Sequence, residues 1–146
     1  GPHYLVPGYP AGPPPAHRVG IWLGVYGPRG LRLTGRLADG WVPSLGHMEP
    51  DAFRRASAVI DEAATSAGRD PDGIRRVYNL SGVITDGERG GGHLVGPVEH
   101  WIGTLTSWVT DIGVDSLVFW PPDAGVEQAE RFAREVVPAV RAATGR

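Results

Sequence analysis

The chain contains no cysteine and no lysine among its 146 residues. Without cysteine there is no disulfide, no thiolate nucleophile and no zinc site of the Cys-containing kinds. Without lysine there is no Schiff-base amine and no P-loop lysine, and all fourteen basic residues are arginine. A net charge of -2 supplies no basic field for nucleic acid. No apolar run is long enough to span a bilayer, and no charged-then-apolar segment opens the chain, so a soluble cytoplasmic protein is the expectation. His3, His17, His93 and His100 show no ligand spacing and no HExxH occurs, so no metal is expected.

What is present is an alternation of strand and helix patterns. Ile21, Trp22, Leu23 and Val25 form a run too continuous for a half-exposed strand, which predicts a strand over 19–25 covered on both faces. Gly27 supplies backbone freedom, and Pro28 suits a first helical position. Trp41 resumes a strand, expected over 41–44, a dozen residues later, which makes a βαβ unit and a parallel sheet. A helix is expected over about Pro50–Ala67, with Phe53, Ala56, Val59, Ile60, Ala63 and Ala64 inward and Gly68 ending it. A third strand is expected over 75–84. The GGG-centred tract Thr85–Gly96 reads as a mobile loop.

Pro97 opens a third helix whose Trp101, Leu105, Trp108, Val109 and Ile112 share a face, closed by Gly113. A fourth strand is expected over 115–120 and a last helix from about Val126 to Ala143. Pro138 should kink that helix or loosen one turn. Four βα pairs in series with right-handed crossovers make half of a (β/α)₈ barrel, and 146 residues fall short of the roughly 250 of a full one. The expected organisation is a proline-rich extended lead-in over 1–18 and a four-unit βα half-barrel over 19–146. Gly1-Pro2 fits a tag-cleavage scar, and the start reads as a cut inside a longer gene product.

Two segments carry candidate chemistry. Tyr26-Gly27-Pro28-Arg29 ends a strand and begins a helix, where backbone N–H groups and the helix dipole suit an anion; the bland alternative is a tight turn with a solvated arginine. Ser44-Leu45-Gly46-His47 follows the second strand and so emerges on the same barrel face, bringing a hydroxyl, a glycine and an imidazole. Asn79 and Trp120 are placed to flank a ring system, or simply to fill a barrel core. Asp39-Gly40 sits at the opposite face and reads as a helix-ending turn. Gly30 and Gly35 weaken their short helix by up to about 1 kcal/mol each relative to alanine. No acid–base pair or nucleophile stands out, and the catalytic residues stay unassigned.

The stretches GVYGPRGLRLTGRLADGWVPS, DEAATSAGRDPDGIRRVYN, GPVEHWIGTLTSWVTDIGVDSLVFWP and ERFAREVVPAVRAA resemble, in order, the luciferase-like monooxygenase family of flavin- and deazaflavin-dependent oxidoreductases. The resemblance is to the C-terminal half of these (β/α)₈ enzymes. It implies coenzyme F-420 (a deazaflavin) or FMN as cofactor, carrying the redox chemistry while the protein binds and orients it. It also implies that Tyr26, Gly27, Pro28, Arg29, Ser44, Gly46 and His47 bind the cofactor, its phosphate above all. Relatives commonly carry a larger residue at the position of Gly30. The implied partners are a small-molecule substrate and either the missing N-terminal half or a second copy of the chain, as a homodimer. A stand-alone, non-catalytic half-barrel acting as a binding or assembly module is the other reading.

Overall fold

A computed structural model describes residues 3, 8, 12–122 and 126–146. Of the expected lead-in over 1–18, residues 1–2, 4–7 and 9–11 lie outside the described residues. Four strands pair in the order in which the chain reaches them, all parallel: β1 (Trp22–Leu23), β2 (Gly40–Trp41), β3 (Arg75–Ser81) and, after an excursion, β6 (Ser116–Trp120). Helices α1 (Pro28–Leu37), α2 (Pro50–Ser66) and α3 (Val98–Asp111) connect them, and a helical C-terminus follows β6. This is the expected succession of βα units.

One face of the sheet is packed and the other is open. Trp41, Phe53, Tyr78 and Trp108, from β2, α2, β3 and α3, form a run of tilted ring contacts at 4.7, 4.8 and 5.3 Å. A second cluster joins Trp101 of α3 to Phe119 of β6 and to Phe132 at 5.2 and 5.9 Å. On the strands the alternate residues are bare: Trp22 is 51% exposed and Trp120 61%. A (β/α)₈ barrel would bury that face in its interior.

The first strand corrects an expectation. Only Trp22–Leu23 is strand, and Val19, Ile21 and Trp22 are exposed rather than covered on both faces. The apolar run points to burial, but β1 is the edge of a half-sheet whose inner face is covered by nothing among the described residues. Asp39 holds that edge. Its carboxylate accepts the Ile21 N–H at 2.9 Å and meets the Arg18 guanidinium at 2.6 Å. Gly40 is required beside it, because a Cβ there would lie 2.7 Å from the Trp22 ring.

The Ile21 N–H, with Arg18 behind it, holds the Asp39 carboxyl below its ordinary range against a smaller opposing effect of burial. A lowered folded-state pKa contributes stability that is complete above about pH 4 and is lost as pH falls through the folded value. Thermal melts between pH 5 and 2 should therefore show an acid-labile component that Asp39→Asn removes. Identical pH slopes for both proteins would show that the latch contributes nothing.

The third strand also ends earlier than expected, at Ser81 rather than 84. At Gly82 the backbone passes so close to Leu94 that a Cβ would lie 2.1 Å from its carbonyl oxygen. The chain then leaves the sheet, and β4 (Val83–Ile84) pairs in parallel with β5 (Val95–Gly96). The Thr85–Gly96 tract is thus no free loop. Leu94 is buried, His93 Nε2 meets Glu49 at 2.8 Å, and Gln128 brackets Ile84 by accepting its N–H at 2.8 Å and donating to its C=O at 3.1 Å. Composition pointed to mobility, but anchors outside the tract hold it.

Pro138 behaves as expected. After α4 (Val126–Arg131) the helix widens into a π-turn over Phe132–Val136, with Val137 N–H bonded to Phe132 C=O, and α5 (Val137–Thr144) resumes with Pro138 in its first turn. The wider turn absorbs the ring and the missing donor without breaking the helix. Gly68 and Gly113, at φ +70 and +76, terminate α2 and α3 as read.

Candidate functional site

In a parallel sheet every strand delivers its following loop to the same edge, so the strand C-termini gather side chains distant in sequence. Here they form a continuous row. Tyr26 follows β1, Ser44 follows β2, Asn79 lies in β3 and Trp120 ends β6. The Ser44 N–H donates to Tyr26 Oη at 3.2 Å, Asn79 Nδ2 donates to Ser44 Oγ at 3.3 Å, and Trp120 Nε1 donates to Asn79 Oδ1 at 3.4 Å. The row therefore crosses all four βα units on the open face.

The segment after β2 is held in shape by its own backbone. Ser44 bridges to Asn79 as a last rung of the sheet, with Leu45 N–H donating to Asn79 C=O at 2.8 Å. Ser44 C=O then accepts from both His47 and Met48, at 3.1 and 3.0 Å, closing a turn in which Gly46 takes φ +89. That left-handed value favours glycine over any side chain. Beneath the turn the Tyr78 hydroxyl donates to Met48 C=O, and burial of that phenol, with a smaller effect from Glu49, pushes its pKa up, so it stays a neutral donor. The turn brings the His47 ring to 5.8 Å from that of Tyr26.

At the head of α1, Gly27 occupies the N-cap and offers no side chain to the first turn, while Pro28 sits at the first helical position. The Arg29 and Gly30 N–H groups are left without a side-chain cap, and the space beside Gly27 is open to 4 Å around a notional Cβ. Uncapped donors at the positive end of a helix dipole suit an anion. Gly30 has its own reason: a Cβ there would lie 2.8 Å from Val25 Cβ, so a larger residue would push α1 away from the segment after β1.

Tyr26, Ser44, Gly46 and His47 thus come together, with Gly27 and Pro28 next to them in the chain. Arg29 is placed differently, lining a groove on the outer surface between α1 and α2 with Arg32 and Arg36. Asn79 and Trp120, read as ring neighbours or core filler, are members of the row. Arg32 and Arg36 went unnoticed; their spacing from Arg29, on a helix without acidic residues, was the available signal. Among the described residues no cluster of His, Asp or Glu is arranged to hold a metal ion, and no helix is long and apolar enough to cross a membrane.

The luciferase-like monooxygenase family model matches residues 1–90. The chain belongs to the luciferase-like monooxygenase family. A phthiodiolone/phenolphthiodiolone dimycocerosates ketoreductase of Mycobacterium tuberculosis is 42% identical over 94 residues, which cover 64% of this chain and 23% of the relative. The coenzyme F-420 dependent tetrahydromethanopterin reductase of Methanopyrus kandleri superposes with a TM-score of 0.67 at 18% identity, covering 82% of this chain and 50% of that one. An F-420-dependent secondary alcohol dehydrogenase, in complex with an F-420–acetone adduct, superposes with a TM-score of 0.72 at 15% identity, covering 87% and 50%. At these identities the structural likeness is one of fold, and it makes this luciferase-like chain half of a (β/α)₈ barrel. The chain spans about a quarter of the length of the curated relatives it matches and about half that of the solved structures.

Proposed function

We propose that this chain is the C-terminal half of the cofactor-binding barrel of a luciferase-like oxidoreductase using coenzyme F-420 or FMN, and that it supplies part of the cofactor's phosphate site. The observation that carries the reading is the hydrogen-bonded row Tyr26–Ser44–Asn79–Trp120 across the strand ends, next to the uncapped start of α1. The donor set fits a phosphate-bearing ring cofactor. It combines backbone N–H groups and a hydroxyl for the phosphate with the faces of Tyr26 and Trp120 for a planar ring. When bound, the flavin or deazaflavin supplies the redox chemistry. The chain's residues bind and orient it: Asn79 fixes the Ser44 hydroxyl on one side and the Trp120 indole on the other, and the ordered Ser44–Met48 turn holds His47 beside Tyr26. The ketoreductase relative supports hydride transfer to a carbonyl over oxygenation as the reaction class.

Replacing Ser44 by alanine in the complete barrel should weaken cofactor binding by about 1–3 kcal/mol, the cost of losing a charge-assisted hydrogen bond. Titration with FMN and with the deazaflavin measures it. Unchanged affinity of the variant for both cofactors would leave the turn as a structural corner and defeat the site assignment.

The open face requires a partner in this reading, either the N-terminal half or a second copy meeting edge to edge about a two-fold axis. Exposed apolar surface costs on the order of 25 cal/mol per Å² relative to burial, and both sheet edges carry unpaired backbone groups. Light scattering on the isolated chain at micromolar concentration should show association. A clean monomer would count decisively against it and would favour a self-sufficient module.

A further inference from the structure

The ion pair between Glu49 and His93 joins the turn after β2 to the tract between β4 and β5. Glu49 follows the Ser44–Met48 turn directly and occupies the N-cap of α2, yet its side chain makes no capping hydrogen bond. Shorter polar side chains cap well, and this longer one reaches elsewhere. Its carboxylate meets His93 Nε2 at 2.8 Å, and no other cation lies within 4 Å of it among the described residues. His93 is fixed from behind. Its C=O accepts from His100 Nε2 of α3 at 2.7 Å, its ring stands edge-on to Trp108 at 6.1 Å, and the next residue, Leu94, is buried. Trp108 packs in turn on Tyr78, whose hydroxyl donates to Met48 C=O beneath the turn. The Glu49 charge is felt there, since after burial it is the next largest effect pushing the Tyr78 phenol up.

We propose that the Glu49–His93 pair is a charge switch on the anion site, in which His93 cancels the carboxylate that stands next to the phosphate-binding turn. The inference rests on the cofactor reading above and adds a control of that same site. An anion held at Ser44 and Gly46 meets a carboxylate one residue beyond the turn, and like charges at such range repel through water. Imidazole is the side chain that changes charge between about pH 5 and 8. His93 Nε2 carries a proton towards Glu49 in either charge state, because a carboxylate only accepts, so the contact survives deprotonation. What is lost is the positive charge. The Glu49 carboxylate is then uncompensated, and anion binding weakens as pH rises. The other groups around the pair are His100 from α3, Tyr78 from β3, His47 in the turn and Arg89 of the same tract near Gly96. Tyr78 stays neutral and Arg89 charged throughout. The titrations of His47, His100 and the cofactor phosphate are common to wild type and to a variant that differs only at His93, so the comparison between the two isolates the switch.

The test is titration of the complete barrel with FMN and with the deazaflavin, at about pH 5 and about pH 9, either side of the imidazole range. Wild type, His93→Gln and Glu49→Gln are compared at low salt. Glutamine at 93 keeps an N–H donor for Glu49 without the charge. Both side chains are about half exposed, at 49% and 56%, so the fold should be retained, which circular dichroism checks. Wild type should bind about threefold tighter than His93→Gln at the lower pH, the size of one screened surface charge, and equally at the higher. The gap should shrink as salt rises. Glu49→Gln should bind about threefold tighter than wild type at the higher pH, where its carboxylate is otherwise uncompensated. A gap of the same size at both pH values makes His93 a structural strut and overturns the switch, as does no gap at either. Glu49→Gln binding no tighter than wild type at the higher pH shows that the carboxylate does not reach the site, and overturns it too. In each of these cases Ser44→Ala still weakens both cofactors if the phosphate site is correct, so the two readings fail separately. A wild-type barrel that binds neither cofactor defeats both.

Discussion

Replacing Gly35 by valine should destabilise the chain by about 3 kcal/mol, the upper part of the range for overpacking a closed interface. The reason is how closely α1 crosses α2. A Cβ on residue 35 would lie 2.4 Å from the Ile60 carbonyl oxygen, 2.8 Å from Ala63 Cβ and 2.9 Å from the Ala64 nitrogen. Two of those three atoms are backbone, so no rotamer change relieves the clash and α1 must move. Movement is resisted at the same place. The Arg69 guanidinium donates to Gly35 C=O at 2.6 Å and to Ala38 C=O at 2.7 Å, pinning the last turn of α1. Urea unfolding should rank Gly35 above Gly35→Ala and that above Gly35→Val. Gly103 of α3 is the control, since nothing lies within 4 Å of a Cβ there and alanine should stabilise by up to about 1 kcal/mol. If Gly35→Ala behaves like Gly103→Ala, the close crossing is not a constraint and the glycine is only a weak helix residue.

That comparison shows where sequence reading stops. Helix propensity correctly marks Gly35 as costly, but its benefit lies in Ile60 and Ala63, which no local pattern connects to it. The same limit applies to β1. Its apolar run was legible as strand and as buried surface, yet the burial belongs to a barrel interior that needs more than these four units. Elements with their own periodicity, α2, α3 and the Pro138-bearing C-terminal helix, were readable because the signal and its cause lie in the same window. In the candidate site, topology rather than motif brings Tyr26 and Ser44 to one edge with Asn79 and Trp120, whereas Arg29, expected beside them, lines the outer groove between α1 and α2. The ordering of Thr85–Gly96 was not legible, because its anchors, Glu49 and Gln128, lie outside the tract in chain and composition alike.

Removing the Asp61 carboxylate should cost about 3 kcal/mol, and removing its partner as well should recover most of that loss. Arg76 of β3 is only 6% exposed, and it rests on two acceptors, the Asp61 carboxylate of α2 and Ile74 C=O at 2.6 Å. Burial pushes the Arg76 guanidinium down from its ordinary range while Asp61 and, next, Asp115 push it back, yet arginine does not deprotonate in a protein. Asp61→Ala therefore leaves a buried charge with too few acceptors, a situation that costs about 3–5 kcal/mol where both partners are buried. Asp61 is about half exposed, so water partly compensates and the lower end applies. The double variant Asp61→Leu/Arg76→Met removes both charges and fills similar volume. It should lie within about 1 kcal/mol of wild type, because replacing a buried pair by apolar side chains is often neutral. Chemical denaturation of the two single variants and the double variant closes the cycle. A loss below about 1 kcal/mol for Asp61→Ala would mean that Ile74 C=O and solvent satisfy Arg76 without it. A double variant as unstable as the single would instead place the contribution of Arg76 in its packing between β3 and α2.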